Sequence, residues 1–409
     1  MSGGQFFKKT IDDVPLEGKT VLLRADYNVP LLPNGEIADD LRIRASLPTV
    51  KKLLAEGCKV VIMSHLGRPE GKDVKLSLRP VAVRLASLLG RSVRFVDEAI
   101  GDRAKIAVKT APKNSVILLE NLRFYSGEEA NDEEFARKLV KTTGARYFVQ
   151  DGFGVVHRAH ASTSAITQLI PSVAGLLLER EYTTITKVMR HPARPFVAVI
   201  GGAKVGDKVG VITQLIDKAD TIIITGAPAN TFFAYKGISI GKSKFEPGME
   251  PVIKEIYAKA VKKVGKEKVD EFLVLPTDLA VAKKVDKSEP RQNKKVSGLK
   301  ADELALDVGD ETIEHIVKIV ETAKTVIWNG TLGVAELPQF AHGSARLALT
   351  LATRPDITSI IGGGDTADFV LDWDARKGKS FTHVSTGGGA SLELMAGEKL
   401  PGIESLLPV

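Results

Sequence analysis

Four segments that follow short apolar runs in the first half of the chain are rich in arginine, histidine and acidic or amide groups. They read RADYNVP (24–30), SHLGRP (64–69), ENLRF (120–124) and QDGFGVVHRAH (150–160). In open parallel sheets, ligands bind beyond the carboxyl ends of the strands. Guanidinium groups match phosphate and carboxylate, so these residues could converge on an anion that carries both groups. The candidates are Asp26, Asn28, Arg42, His65, Arg68, Arg123 and Arg158.

Each of these residues taken alone could be an ordinary loop residue or a solvated surface charge. Because these residues all follow the ends of successive strands, it is less favourable to interpret the whole set as ordinary loop residues or surface charges. His65 and His157 could instead ligate a metal, but their spacing fits no zinc signature. An anion site is therefore the favoured hypothesis for the first half.

Glycine takes the same positions in the second half of the chain. The segments are GGAK (201–204), NGTLG (329–333), GGGDT (362–366) and STGGGAS (385–391). Glycine lets the backbone approach a phosphate, whose charge is complemented by the amides at a following helix N-terminus. Turns between strands and helices also contain glycine for steric reasons alone. The recurrence of glycine-rich segments after four strands nevertheless favours a nucleotide site. Asp365 could either hold Mg²⁺ against nucleotide phosphates or cap a helix.

Two standard phosphate motifs are nearly but not fully present. Gly241-Lys242-Ser243 resembles the end of a Walker A loop, but Lys236 stands where that motif needs glycine. Gly152-Phe153-Gly154 begins a dinucleotide fingerprint, yet its third glycine would fall at His157. These mismatches argue against both a P-loop nucleotide hydrolase and an NAD-binding protein.

Alternating strands and helices must position these segments. Apolar runs predict strands at 20–24, 59–63, 93–96, 115–119, 147–149, 196–200, 221–224, 271–275, 325–328, 358–361 and 382–384. Amphipathic stretches between them predict helices, for example at 44–56, 79–89 and 133–142. The strands look apolar on both faces, which indicates two three-layer (αβα) domains with parallel sheets. The segment AGLLLEREY (174–182) predicts a helical hinge between them.

Composition limits the class of protein. The 409 residues suffice for two domains, and with Cys58 as the only cysteine neither a disulfide scaffold nor a cysteine zinc cluster is possible. Residues 1–180 hold 27 basic and 21 acidic groups (+6), whereas residues 181–409 hold 30 and 29 (+1). Fourteen of the twenty arginines lie in the first part, which suggests a small anionic ligand there, although a merely basic surface is equally compatible. No apolar run approaches a membrane span and the N-terminus lacks a secretory core, so we expect a cytoplasmic protein.

The combination of RADYNVP, SHLGRP, ENLRF, GFGVVHRAH, GGAKVGDK, WNGTLGVAE, GGGDT and STGGGASLEL resembles the phosphoglycerate kinase family. The resemblance runs from about Val21 to Leu400. It implies a phosphoglycerate-binding domain at 1–179, a nucleotide-binding domain at 180–390 and a tail at 391–409 that packs back on the first domain. It also implies reversible phosphoryl transfer between 1,3-bisphosphoglycerate with ADP and 3-phosphoglycerate with ATP, dependent on Mg²⁺. A monomer without nucleic-acid or membrane partners is expected.

Residue by residue, the resemblance assigns the substrate site to the seven candidates of the first half. Among them Arg42 is implied in catalysis, together with Lys204, Gly387 and Gly388. The implied nucleotide-binding residues are Lys204, Lys208, Ala305, Asn329, Glu336, Gly363, Gly364, Asp365 and Thr366, with Asp365 as the metal ligand. No general base is needed, because the accepting carboxylate or phosphate is already ionised.

Some positions depart from the family pattern, all near the expected adenosine. Thr331 and Ala335 replace residues of the usual segment after Trp-Asn-Gly, Ala305 replaces a glycine, and Gly226-Ala227-Pro228 replaces a more glycine-rich turn. The preference between ATP and GTP is therefore left open. A kinase acting on another small carboxylate such as acetate would not explain so many arginines. A non-catalytic anion-binding protein or a basic nucleic-acid binder remain alternatives, but aromatic residues make up only 6% of the chain.

Overall fold

A computed structural model describes residues 6–203 and 206–409 of the chain. Its contacts divide the chain into two units, one formed by the residues up to Thr183 together with Lys399–Val409 and the other by Thr184–Glu398. Each unit contains a sheet whose strands all run parallel, with helices between successive strands. The predicted pair of α/β domains is thus confirmed. Within the described residues, no helix is both long enough and apolar enough to span a bilayer.

The sheet of the first unit has the strand order β3-β4-β2-β1-β5-β6. Its strands, as far as the structure describes this unit, are β1 (Thr20–Arg24), β2 (Lys59–Met63), β3 (Val93–Val96), β4 (Val116–Leu119), β5 (Tyr147–Gln150) and β6 (Ser172–Ala174). The helices are α1 (Leu41–Ala55), α2 (Arg79–Leu89), α3 (Asp102–Thr110), α4 (Glu133–Thr143) and α5 (Leu176–Arg190), which continues across the boundary at Thr183. Short 3-10 helices lie at Val74–Leu76, Leu122–Phe124, Phe153–Val155 and Ala165–Gln168.

Local sequence signals explain where these helices begin and end. The Asp132 carboxylate accepts a hydrogen bond from the Phe135 amide at 2.6 Å and so caps the start of α4, a contact worth about 1 kcal/mol. Gly144, at a φ of +58°, ends the helix in the left-handed region. Phe135 and Leu139 face the core between these caps. The capping residues and the spacing of the buried apolar residues therefore both favour a helix over this segment.

The parallel sheet of the second unit has the order β15-β14-β13-β7-β8-β9, and a smaller antiparallel sheet has the order β11-β10-β12. The strands described here are β7 (Phe196–Ile200), β8 (Thr221–Ile224), β9 (Leu273–Val274), β10 (Asp278–Ala282), β11 (Gln292–Lys295), β12 (Leu304–Val308), β13 (Thr325–Asn329), β14 (Thr358–Gly362) and β15 (His383–Val384). The helices are α6 (Gly206–Lys218), α7 (Gly226–Tyr235), α8 (Glu250–Val264), α9 (Val269–Phe272), α10 (Asp310–Glu321), α11 (His342–Ala352), α12 (Gly364–Trp373) and α13 (Gly389–Met395), while α14 (Pro401–Glu404) belongs to the first unit. Short 3-10 helices lie at Lys266–Lys268, Val296–Gly298 and Pro338–Phe340.

The structure differs from the sequence prediction mainly in the smaller sheet, none of whose strands was predicted. Strand β11 reads Gln-Asn-Lys-Lys and is largely exposed, so it has no apolar signal. Of the strand predicted at 271–275, Glu271 and Phe272 belong to the short helix α9, and only Leu273–Val274 form the strand β9. Helix α13 packs against α6 in the second unit, so the chain joins the first unit at Lys399 rather than at 391.

Candidate active site

The candidate residues of the first unit lie beyond the carboxyl ends of four neighbouring strands, β4, β2, β1 and β5. Arg123 follows β4, His65 and Arg68 follow β2, Asp26 and Asn28 follow β1, and Arg158 follows β5. Arg42 lies in the first turn of α1, the helix that follows β1. Because the strands are parallel, the fold brings these residues to one edge of the sheet, as the sequence predicted.

Hydrogen bonds fix the two residues after β1. The Asp26 carboxylate accepts a hydrogen bond from Nη1 of Arg42 and another, at 3.2 Å, from the Asn28 amide. The Asn28 side-chain oxygen accepts a hydrogen bond from the Gly67 amide at 2.8 Å, in the loop that carries Arg68. Asp26 and Asn28 therefore tie the loops after β1 and β2 to the start of α1.

His65 and Arg123 form the buried part of this site. His65 is 4% exposed, and burial together with the positive charges of Arg24 and Arg123 lowers its pKa well below the ordinary value. The Arg123 guanidinium donates to the Gly67 carbonyl at 2.7 Å and lies 3.1 Å from Glu129. The imidazole is therefore neutral at neutral pH, and the site's positive charge comes from its arginines.

Arg68 and Arg158 are the exposed members of the cluster. Burial, and then the positive charges of Arg158 and Arg68, lower the pKa of Arg123, which places these three guanidinium groups within electrostatic reach of one another. Arg158 also donates from Nε to Nε2 of His157 at 3.2 Å. Such a concentration of positive charge attracts an anionic ligand. Among the described residues, no group of three or more His, Cys, Asp and Glu side chains is arranged to hold a metal ion.

In the second unit, three glycine-bearing turns pack together beyond β7, β8 and β13. The Gly202 amide donates to the Thr331 carbonyl at 2.8 Å, and its own carbonyl accepts from the Ala227 amide at 3.0 Å. A Cβ on Gly330 would stand 2.1 Å from the Gly201 carbonyl carbon, so only glycine fits there. The glycines after these strands therefore allow the turns to approach each other closely.

Lys208 and Asn329 meet at this edge. Lys208 lies in the first turns of α6 and is 8% exposed, and its ammonium group donates to the side-chain oxygen of the fully buried Asn329. The Asn329 side-chain nitrogen is buried without a hydrogen-bond partner among the described residues. A positive charge beside an unsatisfied N–H donor suits a phosphate oxygen. Lys204, the other predicted lysine, lies outside the described residues.

The loop after β14 carries the predicted metal ligand. Gly363 has a φ of +91° and precedes α12, whose first turn contains Gly364, Asp365 and Thr366. The Thr366 hydroxyl accepts a hydrogen bond from the Gly330 amide at 2.7 Å, which joins this loop to the turn after β13. The Asp365 carboxylate is exposed and makes no hydrogen bond or ion pair with any described residue. A free carboxylate beside phosphate-binding turns suits Mg²⁺, which usually takes one or two carboxylates plus substrate phosphates.

Gly387 and Gly388 lie at the same edge, after β15 and at the start of α13. The Gly387 amide donates to the Ser385 hydroxyl at 3.1 Å, and the Gly387 carbonyl accepts from the Ala390 amide at 2.9 Å. Gly388 has a φ of +51°. This turn therefore has the backbone shape that glycine permits, next to the loop that carries Asp365 in the strand order.

The residues predicted near the adenosine lie on or beside the smaller sheet. Ala305 is in β12, and its amide donates to the Ser243 hydroxyl at 2.8 Å. The Val334 amide donates to the Leu306 carbonyl at 2.7 Å, which places the loop of Thr331, Ala335 and the exposed Glu336 along β12. The departures at Ala305, Thr331 and Ala335 thus lie on and beside β12, whereas Gly226-Ala227-Pro228 lies at the start of α7.

A buried ionic network that was not predicted from the sequence lies behind the first site. Arg24 and Glu128 are 1% and 0% exposed and lie 3.7 Å apart, and Ser162 bonds to both of them. Burial raises the pKa of Glu128, while the charge of Arg24 opposes that shift. Arg24 is the last residue of β1. A charged residue at the end of an apolar run was therefore the signal in the sequence that could have indicated this network.

Two parallel sheets, one with an arginine-rich edge and the other with a glycine-rich edge, are the features expected of a two-unit α/β phosphotransferase. The phosphoglycerate kinase family model matches residues 11–398. Over 402 residues the chain is 44% identical to the phosphoglycerate kinase of Dictyoglomus turgidum, covering 98% of this chain and 99% of the relative. Structures of the phosphoglycerate kinases of Coxiella burnetii and Pyrococcus horikoshii superpose with TM-scores of 0.80 and 0.81, at 34% and 30% identity, over 97% of this chain and 98% of theirs. The chain belongs to the phosphoglycerate kinase family, and nothing in these comparisons supports a non-catalytic anion-binding protein.

Proposed function

We propose that this enzyme transfers a phosphoryl group reversibly from 1,3-bisphosphoglycerate to ADP, giving 3-phosphoglycerate and ATP. The observation that carries the proposal is the pairing of two different anion sites. One is an arginine-rich strand edge suited to a small acid that carries both carboxylate and phosphate. The other is a glycine-rich edge with Lys208 and Asn329, suited to nucleotide phosphates.

In the first unit, the arginines would neutralise the triose. Arg68, Arg123 and Arg158 supply guanidinium forks for its phosphate and carboxylate, while His65 and Asn28 supply neutral polar groups. Asp26 orients Arg42 through their hydrogen bond. Specificity for a three-carbon acid with two anionic groups follows from several arginines around one small space.

In the second unit, the glycine turns and Lys208 would hold the nucleotide phosphates. Asn329 presents its side-chain nitrogen to a phosphate oxygen, Glu336 and the backbone at Ala305 face the nucleoside, and Gly363, Gly364 and Thr366 shape the loop that carries Asp365. Mg²⁺, when bound with the nucleotide through Asp365, supplies neutralisation of the phosphate charge.

The chemistry then depends on position and charge. Negative charge spreads over the equatorial oxygens of the transferred group in the transition state, where fixed cations and amide donors stabilise it. Arg42, Lys204 and the amides of Gly387 and Gly388 would supply that stabilisation. The acceptor oxygens are already ionised, so no side chain has to remove a proton.

Both substrates must come together for direct transfer, and water must be excluded from the acyl phosphate. We therefore expect a hinge movement about the connector at 174–182 when both ligands bind. Small-angle scattering with and without both ligands tests this, and unchanged curves at saturation would contradict it. We also expect a monomer that acts in the cytoplasm.

The test is a coupled assay of purified protein with 3-phosphoglycerate and MgATP, then MgGTP. Turnover should be lost on chelation of Mg²⁺ and restored on its addition. Comparing the two nucleotides also measures the base selectivity of the site that contains Thr331, Ala335 and Ala305. A folded protein that turns over neither nucleotide would contradict the proposal.

A further inference from the structure

A buried arginine lies directly behind the histidine of the anion site. Arg24, at the end of β1, is 1% exposed, and its Nη2 lies 3.2 Å from Nδ1 of His65. A guanidinium group carries only N–H donors, whereas an imidazole nitrogen donates or accepts according to its tautomer. This hydrogen bond can form only when Nδ1 is unprotonated and accepts.

We propose that Arg24 is a positioning residue that fixes His65 as the neutral tautomer protonated at Nε2. The ring's remaining N–H is then at Nε2, which makes no hydrogen bond with any described residue. In this tautomer His65 can donate one hydrogen bond to a carboxylate or hydroxyl oxygen of the triose without adding a charge. The functional consequence rests on the proposed function, whereas the tautomer itself does not.

Arg24 is itself held in place on several sides. Its Nε donates to the Ser162 hydroxyl at 2.7 Å, and its Nη1 donates to the Ala25 carbonyl at 2.5 Å. Glu128 lies 3.7 Å from Nη2 and accepts hydrogen bonds from the hydroxyl and the amide of Ser162, at 2.5 and 3.1 Å. The guanidinium plane is therefore oriented by contacts within the protein, so Nη2 is directed to His65 by groups outside the anion site.

The charges around His65 favour the same neutral state. The groups that act on it are Arg24 from β1, Arg42 from α1, Arg123 after β4, and His160 from the loop after β5. Glu128 offsets part of this positive charge, since it pairs with Arg24 and lies 4.0 Å from Nδ1 of His160. Because His65 is also buried, protonating it would add a further positive charge among three arginines.

Nitrogen NMR of the ligand-free protein labelled with ¹⁵N-histidine tests the tautomer directly. The His65 signals, assigned by comparison with His65→Gln, should show an acceptor-type Nδ1 and a protonated Nε2, unchanged from pH 8 to pH 5.5. A proton on Nδ1, or titration near the ordinary histidine pKa, would overturn the inference. This readout needs no activity. A protein with the expected tautomer and no turnover would contradict only the proposed function, whereas an active enzyme with the other tautomer would contradict only this inference.

Kinetics test the positioning role. The double variant Arg24→Met/Glu128→Gln removes both charges of the pair, so that neither is left buried alone, and circular dichroism checks its fold. We expect its KM for 3-phosphoglycerate to rise about fivefold and to vary between pH 5.5 and pH 8, with the KM for MgATP unchanged, because one oriented hydrogen bond is weakened. Arg84→Met, which removes an exposed arginine paired with Asp40, is the matched control and should leave both constants unchanged. A folded double variant with a normal, pH-independent KM for 3-phosphoglycerate would overturn the positioning role.

Discussion

Nη1 of Arg42 donates a hydrogen bond to Oδ2 of Asp26, so the arginine expected to act on the transferred group is paired with a carboxylate of the protein. Arg42 is 26% exposed and Asp26 only 7% exposed at the side chain. The partly exposed guanidinium can therefore turn towards an incoming phosphate, while the buried carboxylate stays in place.

Replacing Arg42 by alanine should lower kcat about 10²- to 10³-fold, as the loss of a donor to a transition-state oxyanion does. The KM for 3-phosphoglycerate should change much less, since the other arginines remain to bind the ground state. Steady-state kinetics with both substrates varied measures the two constants. Arg44→Ala removes a 52% exposed arginine from the same helix and should leave kcat near normal. A near-normal kcat in Arg42→Ala would disprove the assignment.

Asn329→Ala should weaken nucleotide binding. The substitution removes the acceptor of the Lys208 ammonium and a buried N–H donor that has no partner among the described residues, so the affinity for MgADP should fall roughly tenfold. Calorimetric titration with MgADP measures the change, and titration with 3-phosphoglycerate should give an unaltered affinity. Asn293→Ala, on the exposed strand β11, serves as a control for the loss of an amide. Equal nucleotide affinities of Asn329→Ala and the wild type would place Asn329 outside the phosphate site.

Gly330 lies where the turns after β7 and β13 approach each other so closely that no larger residue fits. It has a φ of +94°, and an added Cβ would stand 2.1 Å from the backbone carbonyl of Gly201. We expect Gly330→Ala to lower the free energy of unfolding by about 3 kcal/mol or more, because backbone strain and overpacking add. Gly237 also has a positive φ, of +72°, but open space around it, so Gly237→Ala should cost only about 1–2 kcal/mol. Urea unfolding of both variants measures the two losses in the free energy of unfolding. Losses of similar size would show that the contact between the two turns is not tight.

Much of the sheet and of its functional edge could be predicted from the sequence, because buried parallel strands are short apolar runs that end at polar or glycine residues. Strands β1, β2, β3, β7 and β8 have the predicted bounds. In the smaller sheet, β11 was missed because it is polar and exposed, whereas β10 and β12 carry apolar runs that were not recognised as strands. The network behind His65 was missed for another reason: Arg24 and Ser162 are 138 residues apart, so no local pattern pairs them. Long-range polar contacts depend on the finished fold.

A buried carboxylate beside the first site should make stability depend on pH. Asp151 is fully buried after β5, where its Oδ1 accepts hydrogen bonds from the Thr49 hydroxyl and the Leu177 amide, both at 2.9 Å. Its Oδ2 has no hydrogen-bond partner among the described residues. Burial raises the pKa of Asp151 to about 7, against an ordinary value of 3.8. The folded state therefore keeps this proton in a pH range where the unfolded state loses it.

Because the folded state binds more protons between about pH 4 and pH 7, the contribution of Asp151 to the free energy of unfolding falls as the pH rises through that window. Asp151→Asn removes the titration and keeps an acceptor for Thr49 and Leu177. The free energy of unfolding of this variant, relative to wild type, should therefore increase from pH 4.5 to pH 7.5 by at most about 4 kcal/mol, at 1.36 kcal/mol per pKa unit. Urea unfolding followed by circular dichroism at both pH values measures it. Asp372→Asn, an 84% exposed control, should show no such change. If Asp151→Asn differed from wild type equally at both pH values, the carboxylate would have to be ionised across the whole window.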